Sequence, residues 1–125
     1  MKNPNSAFTC IEHICKHYKL RTSHTPVDEH VRDIIDTLQS LDFYACDIRT
    51  DTIGLIDCPT PTIIQTVTRF MVVIKSNSIG VTVMDPIDGN IHRIAFYDLI
   101  KVWTGLVILI EPPQKKKSFF ERVFG

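Results

Sequence analysis

The sequence predicts an α+β fold, with two helices at the start followed by a run of strands closing as an antiparallel sheet. Three observations carry this. Apolar residues recur at three-and-four spacing up to residue 41, and the character then changes to short β-leaning runs. Those runs are separated by Pro, Gly, Asn and Asp clusters that read as turns. The chain has 125 residues, 44% of them apolar, enough for one domain with a real core.

The first helix is expected over residues 7–18, where Phe8, Ile11, Ile14, Cys15 and Tyr18 share a face. Asn5 or Ser6 stands ready to cap it. The second has the clearest start signal: Thr25 as cap, Pro26 at the first helical position, Asp28 and Glu29 in the positive first turn. Its apolar stripe runs Val27, Val31, Ile34, Ile35, Leu38, Leu41. Residues 43–49 are aromatic and β-leaning, and 51–56 form a turn or a short helical piece. Cys58-Pro59-Thr60-Pro61 blocks helix and leads into an extended segment at 62–66. Strands follow at 69–75, 81–85 and 91–94, with turns at 76–80 and 86–90. A short helix is predicted over 95–102, then a last strand over 105–110, stopped by Glu111-Pro112-Pro113.

Lys plus Arg and Asp plus Glu both number 14, so no global field draws the chain to nucleic acid. The four cysteines fit neither a zinc ribbon nor a thioredoxin motif. Cys10, Cys15 and Cys46 lie in apolar periodic segments and read as small hydrophobes; all four, with Cys58, read as reduced thiols of a cytosolic protein. Residues 1–6 are polar and not a signal peptide, and the longest apolar run, 105–110, is too short for a membrane span.

Other groups that bear chemistry are read as structural. Cys10, His13 and His17 share a flank of the first helix, which allows a Cys–His nucleophile or a metal site, but no fourth ligand is evident. They are taken as ordinary, partly exposed helix residues, and His24, His30 and His92 as surface residues. Asp85-Pro86-Ile87-Asp88-Gly89 lacks the alternating oxygen ligands of a cation loop and reads as a hairpin turn. Trp103 is read as core or cleft-floor packing, with an indole N–H that needs a partner. No cofactor and no metal are expected.

The division predicted is a domain over 1–112 and a tail over 113–125. Lys115, Lys116 and Lys117 precede Phe119, Phe120, Val123 and Phe124, which share one side of a possible helix. This pattern fits contact with the cytoplasmic face of a membrane, or docking on the chain's own domain.

The segments arrive in an order that resembles the C39 peptidases. Lys16-His17-Tyr18-Lys19 resembles the Tyr-Tyr-Gly-like end of that family's first helix. The segment 31–49 looks like its leader helix and following strand, and Pro59 to Ile64 like its Leu-Pro-x-Pro-x-Ile stretch. Phe70-Met71-Val72-Val73-Ile74 is similar to its Phe-Val-Val strand, Val83-Met84-Asp85-Pro86 to its Asp-Pro, and Trp103-Thr104-Gly105 to its Trp-Thr-Gly close. The match covers residues 5–111 and implies a papain-like cysteine protease fold.

That resemblance also implies a function. Most such domains sit at the cytosolic N-terminus of ABC exporters and trim leader peptides after a double glycine, using a Cys, a His and the Asp of Asp-Pro. Carried over, these positions fall on Ser6, Arg69 and Asp85. A guanidinium stays protonated and cannot act as the base that a hydroxyl nucleophile requires. Two of three triad groups are thus replaced, and an Arg69–Asp85 ion pair is expected instead.

The implied role is a cytoplasmic domain at the inner membrane face that binds an extended peptide or unfolded secretion substrate without cutting it. Its partners are the transmembrane and ATPase parts of an exporter, and not nucleic acid. Ser6, Arg69, Asp85, Pro61 and Trp103 are the candidate peptide-binding residues, with 58–64 as one cleft wall. The alternatives are an active peptidase, or a structural module of a membrane protein such as a vitamin K epoxide reductase-like fusion.

Overall fold

The computed structural model describes residues 5–21 and 27–113. The tail from residue 114 and the Thr25 and Pro26 helix start lie outside those residues, as does His24. The chain runs α1 (Ser6–His17), α2 (Val31–Ser40), β1 (Tyr44–Arg49), α3 (Thr52–Asp57), β2 (Thr62–Thr66) and β3 (Phe70–Ser76). It continues through β4 (Gly80–Asp85), β5 (Asn90–Ala95), α4 (Phe96–Leu99) and β6 (Trp103–Glu111). All strand pairs are antiparallel, in a six-stranded sheet of order β1-β6-β2-β3-β4-β5. The predicted α+β class with helices on an antiparallel sheet is the one found.

Strand alternation sorts the core into two layers. Ile63, Phe70, Val72, Met84, Leu106 and Ile108 face α1 and α2, whose Ala7, Cys10, Ile11, Ile14, Ile34, Ile35 and Leu38 complete that layer. Ile64, Met71, Val73, Val81, Val83 and Val107 face the other way, covered by Leu55 of α3 and Leu99 behind Phe96. α1 crosses β3 and α2 lies on β1. α1 therefore starts above the beginning of β3, and that placement builds the site.

Asn5 caps α1, its Oδ1 accepting from Phe8 N–H at 2.8 Å. The second helix differs from expectation. It begins at Val31, and residues 27–30 are not helical. Glu29 therefore does not serve its own helix; its carboxylate reaches the start of α1. The helix at 95–102 shortens to Phe96–Leu99, because Val102 O must accept from Val67 N–H at 2.8 Å as the chain returns beside β2. Cys15 is buried, as its apolar segment implies; Cys10, expected to be partly exposed, is also buried because it faces the helix–sheet core, and Cys46 is exposed. Its strand forms an open edge, so the apolar run around it does not mean burial.

Candidate functional site

Four chain segments meet at one end of the sheet: the start of α1, the β2–β3 turn, the end of β4 and the segment ahead of α2. Thr66 shapes the turn. Its hydroxyl donates to Arg69 O at 2.8 Å and accepts from Arg69 N–H at 3.1 Å, closing the turn through Val67 and Thr68. A register shift between Ile64 and Thr66 in the β2–β6 pairing leads into that turn. Asp85 is locked by its own turn, Oδ1 accepting from Ile87 N–H at 3.0 Å while its carbonyl accepts from Gly89 N–H at 2.8 Å. Gly89 has φ +72°, which suits glycine at that turn position.

Between these two turns Arg69 and Asp85 form a forked ion pair, Nε to Oδ1 at 2.9 Å and Nη2 to Oδ2 at 2.7 Å. Nη1 donates to Thr68 Oγ1 at 2.9 Å, so every guanidinium nitrogen is engaged. The hydrogen bond to Asp85 raises the Arg69 pKa further above its already high value, and burial only partly opposes it. Desolvation pushes the Asp85 carboxyl up, but bonds from Arg69 and the Ile87 N–H, with the Arg69 charge, outweigh it and leave the pKa low. Both groups therefore stay ionised at neutral pH. The ion pair expected from the sequence is present.

Ser6 is 2% exposed and its hydroxyl both donates and accepts a hydrogen bond. It donates to a Glu29 carboxylate oxygen and accepts from Phe70 N–H at 3.1 Å. The other Glu29 oxygen takes the Ala7 N–H. Glu29 thus satisfies the first turn of α1, where its negative charge is favoured by the helix dipole. Ser6 meets the backbone one residue beyond Arg69, not the guanidinium. Sequence reasoning missed Glu29 because its role depends on a contact across 22 residues that no local pattern encodes.

The other candidates lie elsewhere. Pro61 is buried at the opposite end of β2, beyond a cis Thr60–Pro61 bond. Its neighbour Pro59 lines an apolar groove of about 610 Å³ with Phe43, Tyr44, Ala45 and Leu109. Trp103 sits near the Arg69 end of the sheet but packs in the layer of Ile64, Met71 and Val107, away from α1. Its Nε1 donates to Leu106 O at 3.0 Å, which supplies the expected partner. Ser6, Arg69 and Asp85 therefore form one cluster, and Pro61 and Trp103 stand outside it.

The alternative nucleophile fails on burial. Cys10 is 0% exposed, and desolvation, then the charges of Glu29 and Asp85, raise its thiol pKa well above normal. Burial, then the nearby His17 and Lys16, lowers the pKa of His13. A protonated thiol in the core is not an attacking group. Among the described residues no cluster of His, Cys, Asp or Glu is arranged to hold a metal, and no helix is long and apolar enough to cross a membrane.

An α+β domain of this topology, with the first helix starting against the third strand, defines a papain-like domain. The peptidase C39 family model matches residues 1–115, and the chain belongs to that family. No curated protein matches it. It is similar to the crystal structure of a double glycine motif protease from an AMS/PCAT transporter in complex with the leader peptide: TM-score 0.78, 15% identity, 90% of this chain and 87% of that one. It also resembles the peptidase domain of Streptococcus ComA, a bifunctional ABC transporter involved in quorum sensing (0.77, 19% identity, 90% and 94%). A third likeness is the N-terminal peptidase C39-like domain of a toxin secretion ATP-binding protein from Vibrio parahaemolyticus (0.71, 18% identity, 89% and 98%). At such identities these structures establish the shared fold.

Proposed function

We propose that this chain is a non-catalytic C39 domain that binds an extended peptide or unfolded secretion substrate for an ABC-type exporter. It works on the cytoplasmic side, beside the exporter's transmembrane and ATPase parts. The observation that carries this reading is the state of the three family positions. Acyl transfer needs a nucleophile with a base in hydrogen-bond reach. Here the nucleophile's position holds Ser6, buried and committed to Glu29 and Phe70. The base's position holds a guanidinium bound on all three nitrogens. Asp85 orients that cation and not an imidazole.

Binding needs none of these groups to react. The Arg69–Asp85 pair braces the β2–β3 turn against the β4–β5 turn, keeping one end of the domain in shape. Val67 and Ile87, 70% and 59% exposed, stand on those two turns beside the pair and offer apolar contacts to a bound peptide. The solved relatives support the setting, since one was crystallised with a leader peptide and others come from transporter or secretion polypeptides.

The test is cleavage and binding of a double-glycine leader peptide by the wild type and by a Ser6→Cys plus Arg69→His variant. The expected result is binding without cleavage by the wild type and measurable cleavage by the variant. Cleavage by the wild type overturns the non-catalytic reading. Neither binding nor cleavage by either protein overturns peptide recruitment and leaves a structural module of a larger membrane protein.

A further inference from the structure

Among the described residues β1 is an edge strand, paired with β6 on one side only, and five of its six residues are exposed. The phase of its backbone can be fixed. Thr50 N–H donates to Gly105 O at 2.9 Å, so on an alternating ladder Tyr44, Cys46 and Ile48 turn their backbone groups toward β6. Ala45, Asp47 and Arg49 turn theirs outward. Ala45 agrees with this phase, because its carbonyl accepts from the Gln39 side chain at 3.4 Å. An edge of this kind is a template for another strand unless something blocks it.

We propose that β1 pairs antiparallel with β1 of a second copy about a twofold axis, joining two six-stranded sheets into one. The charges choose the register. A twofold ladder must set outward residues against outward residues. Asp47 against the partner's Asp47, or Arg49 against the partner's Arg49, places like charges opposite each other and is disfavoured. Asp47 against the partner's Ala45 leaves the charges unpaired. Asp47 against the partner's Arg49 gives two reciprocal ion pairs flanked by backbone hydrogen bonds, and brings Ile48 against the partner's Ile48. Ile48 is 37% exposed, so this register also covers apolar surface at the twofold axis. Arg49 Nη1 donates to Thr104 O at 3.1 Å on the β6 side, a bond that the ion pair with the partner's Asp47 must share or replace. A contact of one short strand is small, so the dimer is weak, with a dissociation constant of about 10–1000 µM.

The experiment is sedimentation equilibrium of the 125-residue chain up to about 1 mM, under reducing conditions so that exposed Cys46 forms no cross-link. The wild type is expected to self-associate. Asp47→Arg sets arginines against arginines and weakens association by about tenfold or more. Adding Arg49→Asp exchanges the charges and restores association to within about threefold of wild type, which a loss of folding does not do. Asp47→Pro removes an N–H that points outward and abolishes association while circular dichroism stays native. A wild-type monomer throughout overturns the proposal and leaves the edge to a partner of another kind. Failure of the exchanged pair to recover overturns the register, and with it this pairing. If the proline variant loses its fold, the charge exchange decides alone.

Discussion

At the residue scale the site is set by one ion pair and one pair of charge-assisted hydrogen bonds, which share no partner. Arg69 holds Asp85, and Glu29 holds Ser6 and Ala7. Removing Arg69 leaves the mostly buried Asp85 unsatisfied, and removing Glu29 does the same to the buried Ser6 hydroxyl, which costs more than the contact itself is worth. Arg69→Met is expected to lower unfolding free energy by about 1–3 kcal/mol, and Glu29→Ala by about 1–2 kcal/mol, in urea titrations. The pH dependence has a definite sign. The folded-state pKa of Asp85 lies below its ordinary value, so its stabilisation is complete above the unfolded carboxylate pKa of about 4 and fades as pH falls through the folded value. Asp85→Asn should therefore differ most from wild type near neutral pH, and the gap should close in acid. A gap that widens in acid contradicts the assignment. The thiols give a further check. Exposed Cys46 should react with a disulfide reagent at once and half-buried Cys58 more slowly. Buried Cys10 and Cys15 should react only on unfolding.

At the element scale the helices were legible and their junctions were not. The stripe of α1 follows from local spacing and holds; of the two residues that could cap it, Asn5 and Ser6, the structure uses Asn5. For α2 the start signal at Thr25, Pro26 and Glu29 was strong, yet the helix begins at Val31 because Glu29 serves the other helix. The β4–β5 hairpin was equally readable from its Pro-Ile-Asp-Gly-Asn turn. At its far end is a close approach that only the structure shows. A Cβ on Gly80 would stand 2.2 Å from Ile94 O and 2.8 Å from Ala95 Cα. Both are backbone atoms that cannot swing away, so the strands must part. Gly80→Ala is expected to cost about 2–4 kcal/mol, read as a lowered midpoint of thermal unfolding. A neutral result means that β5 adjusts more freely than its six-residue pairing implies.

At the scale of the whole molecule the sheet separates two surfaces. The Ser6–Arg69–Asp85 cluster lies at one end, over β3 and β4. The apolar groove borders β1 three strands away, roughly 14 Å across the sheet. The sequence joined Pro61 to the first surface, but the chain carries it to the end of β2 that leads to the second. Peptide binding and edge pairing can thus be tested apart. Arg69→Met should alter leader-peptide affinity and leave sedimentation unchanged, while Asp47→Arg should do the reverse. A variant of one surface that moves both readouts shows that the sheet couples them.

The sequence by itself determined the α+β class and nearly every element, because periodicity and turn chemistry are local properties. The Arg69–Asp85 pair is implied only by the resemblance to the C39 family, and the structure places the two side chains in contact. Only the tertiary structure decided that Glu29 closes over Ser6, that Cys46 lies on an open edge and that Trp103 and Pro61 stand apart from the cluster. Each of these depends on which strand is central, which is an edge, and which face a helix covers. Those are set by long-range packing, and neighbours in the chain carry no record of it.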